Sequence, residues 1–154
     1  MNRRLAHILD WTWCLPQTIM GLFWYFMVRY WLDQCSRDTG MWRSVRVIIY
    51  KQLNGGVSLG PFLFCDDANG KQGVLLHEYG HYLQSLLLGP FYLPLIGLPS
   101  ICWAFIKKAG YFPAVPYHAF PTEWWAERLV NSQRRNSCPT LKIDTTVCVC
   151  KVRT

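Results

Sequence analysis

The sequence predicts an α+β domain: a small antiparallel or mixed sheet packed on two helices, with one apolar helix ahead of it. Three observations lead there. Residues 45–64 are rich in β-branched and aromatic side chains and are punctuated by Asn54-Gly55-Gly56, the texture of two strands joined by a turn, the second running from Val57 to Phe64. Gln72 to Leu88 carries a helical pattern that stops at Gly89-Pro90, a pair that cannot continue a helix. Pro121-Thr122-Glu123 has the form of a helix start and opens a further helix to about Ser132. A chain of 154 residues has room for one core, so the division expected is an apolar segment over 1–32 and a folded domain over 33–154.

Taken from the N-terminus, Trp11 to Val28 holds no charged residue and is bordered by Arg3, Arg4 and Asp10 before it and Arg29 after it, just long enough to span a bilayer. It ends in Phe26-Met27-Val28-Arg29-Tyr30-Trp31, without the small residues a signal peptidase needs, so an uncleaved membrane anchor or an interfacial helix is expected. Beyond the strands, Asp66, Asp67, Asn69 and Gly70 supply a polar turn before the helix at Gln72. A second charge-free stretch, Tyr82 to Ile106, is broken by Gly89, Pro90, Pro94, Gly97 and Pro99. It admits a re-entrant hairpin, a kinked helix pair, or a core loop followed by a helix from about Ser100 to Lys108. Residues 135–154 are polar and strand-like, with no chemistry to assign.

Half of the chain is hydrophobic (51%) and 16% aromatic, while only 16% is charged, so apolar surface is left over for lipid or a partner. The net charge of +7 comes from basic residues scattered among apolar runs. They form no basic helix face and no nucleic-acid motif, and attraction to anionic lipid headgroups is the expectation. The seven cysteines contain no CxxC pair and read as reduced thiols.

The chemistry concentrates in His77-Glu78-Tyr79-Gly80-His81, an H-E-x-x-H pattern inside the helix that starts at Gln72. Residues four apart lie one above the other on a helix, so both imidazoles reach one metal while Glu78, about 100° around, addresses a metal-bound water. With this chain's own His and Glu frequencies the pattern arises by chance on the order of once in five hundred such chains. A catalytic Zn2+ needs a third protein ligand and one open position, and Glu123 on the downstream helix is the candidate. A carboxylate favoured by the helix dipole is its rival reading. Gln84 and Leu87 stand where a three-histidine metzincin needs Gly and His, which leaves the carboxylate version. The chain has only three glutamates, and the third, Glu127, lies four residues after Glu123 on the same face, placed to accept the free N–H of a ligand histidine. His118 and Tyr117, with Tyr111, are candidate donors to an oxyanion, packing being the alternative.

Glu123-Trp124-Trp125-Ala126-Glu127 after His77 to His81 resembles the gluzincin peptidases, in which a later helix carries Glu-x-x-Ala-Asp. Here Glu127 stands in place of the usual aspartate. The string His77 to Ser85, with Gly89-Pro90-Phe91-Tyr92-Leu93 and Ile96-Gly97-Leu98-Pro99-Ser100, also resembles small bacterial membrane-associated HExxH proteins, over roughly residues 55–130. The resemblance implies a zincin-like (minigluzincin) fold, with Val57 to Phe64 as a sheet edge receiving an extended polypeptide substrate. The function expected is zinc-dependent peptide hydrolysis near a membrane, with Glu78 as general base and zinc-bound water as nucleophile. Its rival is a catalytically inactive fold of the same kind that binds or regulates at a membrane. An intramembrane protease fits less well, because polar Asp66, Asp67 and Lys71 precede the site helix. Five basic residues between Arg29 and Lys51 outnumber Arg3 and Arg4, which puts the active site on the cytoplasmic side.

Overall fold

The computed structural model describes residues 3–32, 37–49, 55–66 and 72–136. Its β-rich stretch forms a four-stranded sheet: β1 (Arg37–Trp42), β2 (Val45–Ile49), β3 (Gly56–Leu59) and β4 (Phe62–Cys65), in the order β1-β2-β4-β3. β2 and β4 run parallel, and the two outer pairs are antiparallel. The single strand expected over Val57 to Phe64 is instead a hairpin, β3 and β4, turning at Gly60-Pro61. Gly60 has φ +57°, and positive φ in a two-residue loop matches the twist of the flanking strands. The expected turn at Asn54 falls partly outside the described residues, as do Asp67, Asn69 and Gly70 and the strand-like tail from 137 onward. Among the described residues β3 is a sheet edge.

Side-chain alternation places Val45, Val47, Leu63 and Cys65 on one face of the sheet, packed with Leu75, Tyr79, Tyr82 and Leu83 of α3 (Gln72–Leu88) and Val130 of α5 (Pro121–Asn136). Ile48, Phe62 and Phe64 point the other way, onto Leu22, Trp24, Tyr25 and Val28. The central strands are thus buried on both faces, and the N-terminal region forms the third layer.

That layer corrects the expected spanning anchor. The stretch from Trp11 to Val28 divides into α1 (Arg3–Trp11), a turn over Thr12–Cys14, and α2 (Leu15–Met27), which continues as a π-helical turn, Val28–Leu32. Pro16 lies in the first turn of α2, where its missing N–H is harmless to the new helix and unfavourable to an uninterrupted one. Among the described residues no helix is long and apolar enough to cross a membrane. The N-terminal segment is fastened by polar contacts. Cys14 donates to the Ser85 carbonyl at 3.2 Å, Gln17 Nε2 to the Gly89 carbonyl at 2.9 Å, and Tyr82 Oη to Asp10 Oδ2 at 3.3 Å.

The site helix α3 covers Gln72–Leu88 as the pattern predicts and ends at Gly89 with φ +56°. Of the alternatives for the charge-free stretch, a 3-10 turn (Gly89–Phe91) and a π-helical turn (Leu93–Gly97) lead into α4 (Leu98–Lys108).

Candidate metal centre

The site exists because two helices approach closely at one point. Gly80 of α3 faces the backbone of Ala126 in α5, and a Cβ on Gly80 would stand 2.4 Å from the Ala126 carbonyl oxygen. Ala126 is completely buried there. With no side chain at 80 and a methyl at 126 the helices cross in contact. Glu123, one turn before Ala126, is thereby carried over the face bearing His77 and His81.

Glu123 is fully buried, and a single oxygen, Oε2, lies 2.8 Å from His77 Nε2 and 3.3 Å from His81 Nε2. Donor atoms of the three residues all lie within 4.8 Å of one another. Around a tetrahedral Zn2+ with bonds of about 2.0–2.1 Å, neighbouring donors sit roughly 3.3 Å apart, which the His81–Glu123 spacing matches and the His77–Glu123 spacing undercuts slightly.

The surroundings fix each donor. His81 Nδ1 is 2.8 Å from Gln84 Oε1, and the Gln84 amide is oriented by donating from Nε2 to the Thr122 carbonyl at 2.8 Å. His81 must therefore donate from Nδ1, which turns the lone pair of a neutral ring toward Glu123 at Nε2. Two nitrogens and a carboxylate oxygen aimed at one point need protons or a cation between them. Burial would raise Glu123, but hydrogen bonds from His77 and His81 outweigh it and hold the carboxyl well below the usual range. Burial would lower His81, but its bond to Glu123 and the charge of Glu78 keep it above its ordinary value. A divalent cation satisfies the same three atoms directly. On the far side of Glu123, Thr122 Oγ1 lies 3.4 Å from Oε1 and is itself 2.8 Å from Ser100 Oγ of α4.

Glu78 is buried beside β3, where a Cβ at Gly56 would stand 2.5 Å from its Oε1. Burial, only partly countered by His81 and His77, raises its pKa, which suits a proton acceptor. These four residues floor a cleft of about 340 Å³. The edge strand β3 forms one wall, the stretch from Tyr92 to Ala104 the other, and Met20 of α2 joins them.

The remaining candidates separate. Tyr117 lines the cleft, whereas His118 and Tyr111 do not. Glu127 accepts from His118 Nδ1 at 2.9 Å in a half-exposed pair, rather than from a ligand histidine as expected. Among the described residues buried His77 Nδ1 has no hydrogen-bond partner, although Glu127 and His118 both offer metal-ligand atoms within 4.8 Å of His77. Sequence reasoning missed Gln84, Ser100 and Tyr92. Tyr92 is buried and lines the cleft. Burial, followed by the charges of Glu78 and Glu123, pushes its hydroxyl above the ordinary tyrosine range, and burial does the same to Tyr117. Both phenols stay protonated and able to donate.

No family model, no curated protein and no solved structure matches this chain.

Proposed function

We propose that the chain is a zinc-dependent peptide hydrolase of gluzincin type. The observation that carries the reading is the convergence of His77 Nε2, His81 Nε2 and Glu123 Oε2, with Glu78 buried next to them at the foot of an edge strand. Two imidazoles and one carboxylate make a catalytic zinc donor set, leaving a coordination position for water. When bound, the ion polarises a scissile carbonyl and lowers the pKa of that water.

The chain's own groups supply the rest. The free edge of β3, Gly56–Leu59, offers backbone donors and acceptors to an extended polypeptide lying along the cleft. Glu78 takes the proton from the attacking water and returns it to the leaving amine. Tyr117 donates its O–H to the developing oxyanion, with Tyr92 as the other phenol in reach of the cleft. Gln84 keeps the His81 lone pair directed at the metal position.

Metal analysis and peptide turnover test this together. Wild type binds one equivalent of Zn2+ and cleaves an unstructured polypeptide. Glu78→Gln keeps the metal and loses turnover, and His81→Ala and Glu123→Ala lose the metal. Retention of activity by Glu78→Gln removes it as the base. Stoichiometric zinc with no hydrolysis across a broad peptide library makes the protein a metal-holding scaffold instead.

A further inference from the structure

The N-terminal helices turn large apolar side chains outward as well as inward. In α2 the fully buried side chains are Gln17 and Thr18, with Gly21 against the Leu59 backbone, while Leu22, Trp24 and Tyr25 lie half-buried on the sheet. Its apolar residues Leu15, Ile19, Phe23 and Phe26 recur at helical spacing on the outer side, Phe23 being 63% exposed. α1 buries Ala6 and Asp10 and exposes Leu5 and Ile8 beside Arg4 and His7. Across the cleft, Leu95, Leu98, Ile101 and Phe105 continue the apolar outer side, Phe105 at 68%. A surface helix in water keeps its outer side polar, and α2 does not. Against a lipid surface an apolar outer side is favourable, since its atoms leave water for the acyl boundary.

The flanks match a headgroup layer. α2 has no charged residue, and α4 has only Lys107 and Lys108, in its last turn. Arg29 follows α2, exposed, beside Tyr30 and Trp31, the latter 82% exposed. Cations and amphipathic aromatics at the ends of apolar helices suit the anionic bilayer interface, and the chain's net charge of +7 has the complementary sign. Two exposed segments of this surface meet at the metal cleft. Met20 of α2 and Leu98 and Ile101 of α4 are each about half exposed and also line it.

We infer that the outer face of α1, α2 and α4 docks on the surface of an anionic lipid bilayer, and that the metal cleft opens through it to take an apolar polypeptide segment held at the membrane. The helices lie in the interface rather than crossing it. The substrate half of this inference rests on the peptide-hydrolase reading; the lipid half does not.

Flotation of the full chain carrying Glu78→Gln, with vesicles of phosphatidylcholine and phosphatidylglycerol, tests the lipid half without turnover. The protein is expected to float. High salt weakens but does not abolish binding, because apolar burial remains. Ile19→Asp/Phe23→Asp and Phe105→Asp are expected to lose at least about tenfold in vesicle affinity. Asn131→Asp/Gln133→Asp, adding the same charge on exposed α5, is expected to bind as the parent does. Equal flotation of all variants overturns the docking face. So does a parent chain that stays in the aqueous phase as a dimer broken by Phe23→Asp, which makes the face a contact between copies. For the substrate half, otherwise wild-type protein is given one reporter peptide with and without an apolar vesicle anchor. Faster cleavage of the anchored form, lost in Phe105→Asp, supports entry from the bilayer, and equal rates refute it. Flotation without any hydrolysis sinks the enzymatic reading and leaves the docking face standing.

Discussion

Gly80→Ala adds one methyl group at the crossing that makes the candidate metal centre, and its effects on stability and on metal binding should separate. The new Cβ would lie 2.4 Å from the Ala126 carbonyl oxygen, where ordinary contact begins near 3.4 Å. α5 must therefore retreat by about 1 Å, because the clash is with backbone and no rotamer relieves it. Overpacking of this kind costs about 1–3 kcal/mol, while alanine regains about 1 kcal/mol over glycine inside a helix. The net loss of stability is about 0–2 kcal/mol, too little to unfold an ordinary domain. Metal ligation tolerates only about 0.2 Å, and Glu123 rides on the helix that moves. Zinc affinity is expected to fall at least about tenfold while the metal-free protein still melts cooperatively. Chelator competition beside thermal unfolding of the stripped protein reads both. A Gly80→Ala protein that binds zinc as tightly as wild type refutes the claim that this crossing sets the ligand geometry.

Gln84→Leu removes the acceptor that turns the His81 ring, and zinc affinity should drop about 10- to 100-fold; unchanged affinity would mean the ring is held by packing alone. Tyr117→Phe should reduce kcat by roughly a hundredfold with zinc stoichiometry intact, and if Tyr92→Phe does this instead, the oxyanion donor is Tyr92. Asp10 gives a pH signature remote from the metal: burial raises its pKa from 3.8 to about 7, the hydrogen bond from Tyr82 opposing only in part. The fold therefore prefers the protonated acid. Its contribution is fully present below pH 3.8, declines as pH rises, and is gone above about 7, a swing on the order of a few kcal/mol. Asp10→Asn should abolish that decline and leave the protein more stable than wild type at pH 8. A wild-type stability curve flat across this interval, unaltered in Asp10→Asn, would show that the carboxyl ionises inside the fold without penalty.

The parts legible in the sequence were those written in local spacing. His77 and His81 four apart inside a bounded apolar helix, and Gly89-Pro90 at its end, specify α3 without tertiary information. Glu123 was reachable only because glutamate is so scarce in this chain. β1 was not legible, since Arg37-Asp38-Thr39-Gly40 has no alternation and its register shifts at Asp38/Gly40. Leu59-Gly60-Pro61-Phe62 did carry a turn signal, overshadowed by the glycines at 55 and 56. Gln84 acquires its role from a carbonyl 38 positions away, which no periodicity reveals. For α2 the sequence left a membrane anchor and an interfacial helix both open, because an uncharged apolar stretch reads alike whether it crosses lipid, lies on it or covers a sheet. Which side of it is polar, decided here by Gln17 and Thr18, becomes visible only when a neighbour is present.

The position of α2 across the second face of the sheet bears on how the protein can be handled. Trimming a greasy N-terminus is a common route to a better-behaved sample. Here a chain begun after Leu32 would bare Ile48, Phe62 and Phe64, at about 1.5–3 kcal/mol for each ring or branched chain left wet. It would also strip the thiol, amide and carboxyl that grip the far end of α3. Removing the stickiest part of the molecule would produce a stickier one, and detergent or lipid with the intact polypeptide is the sounder preparation.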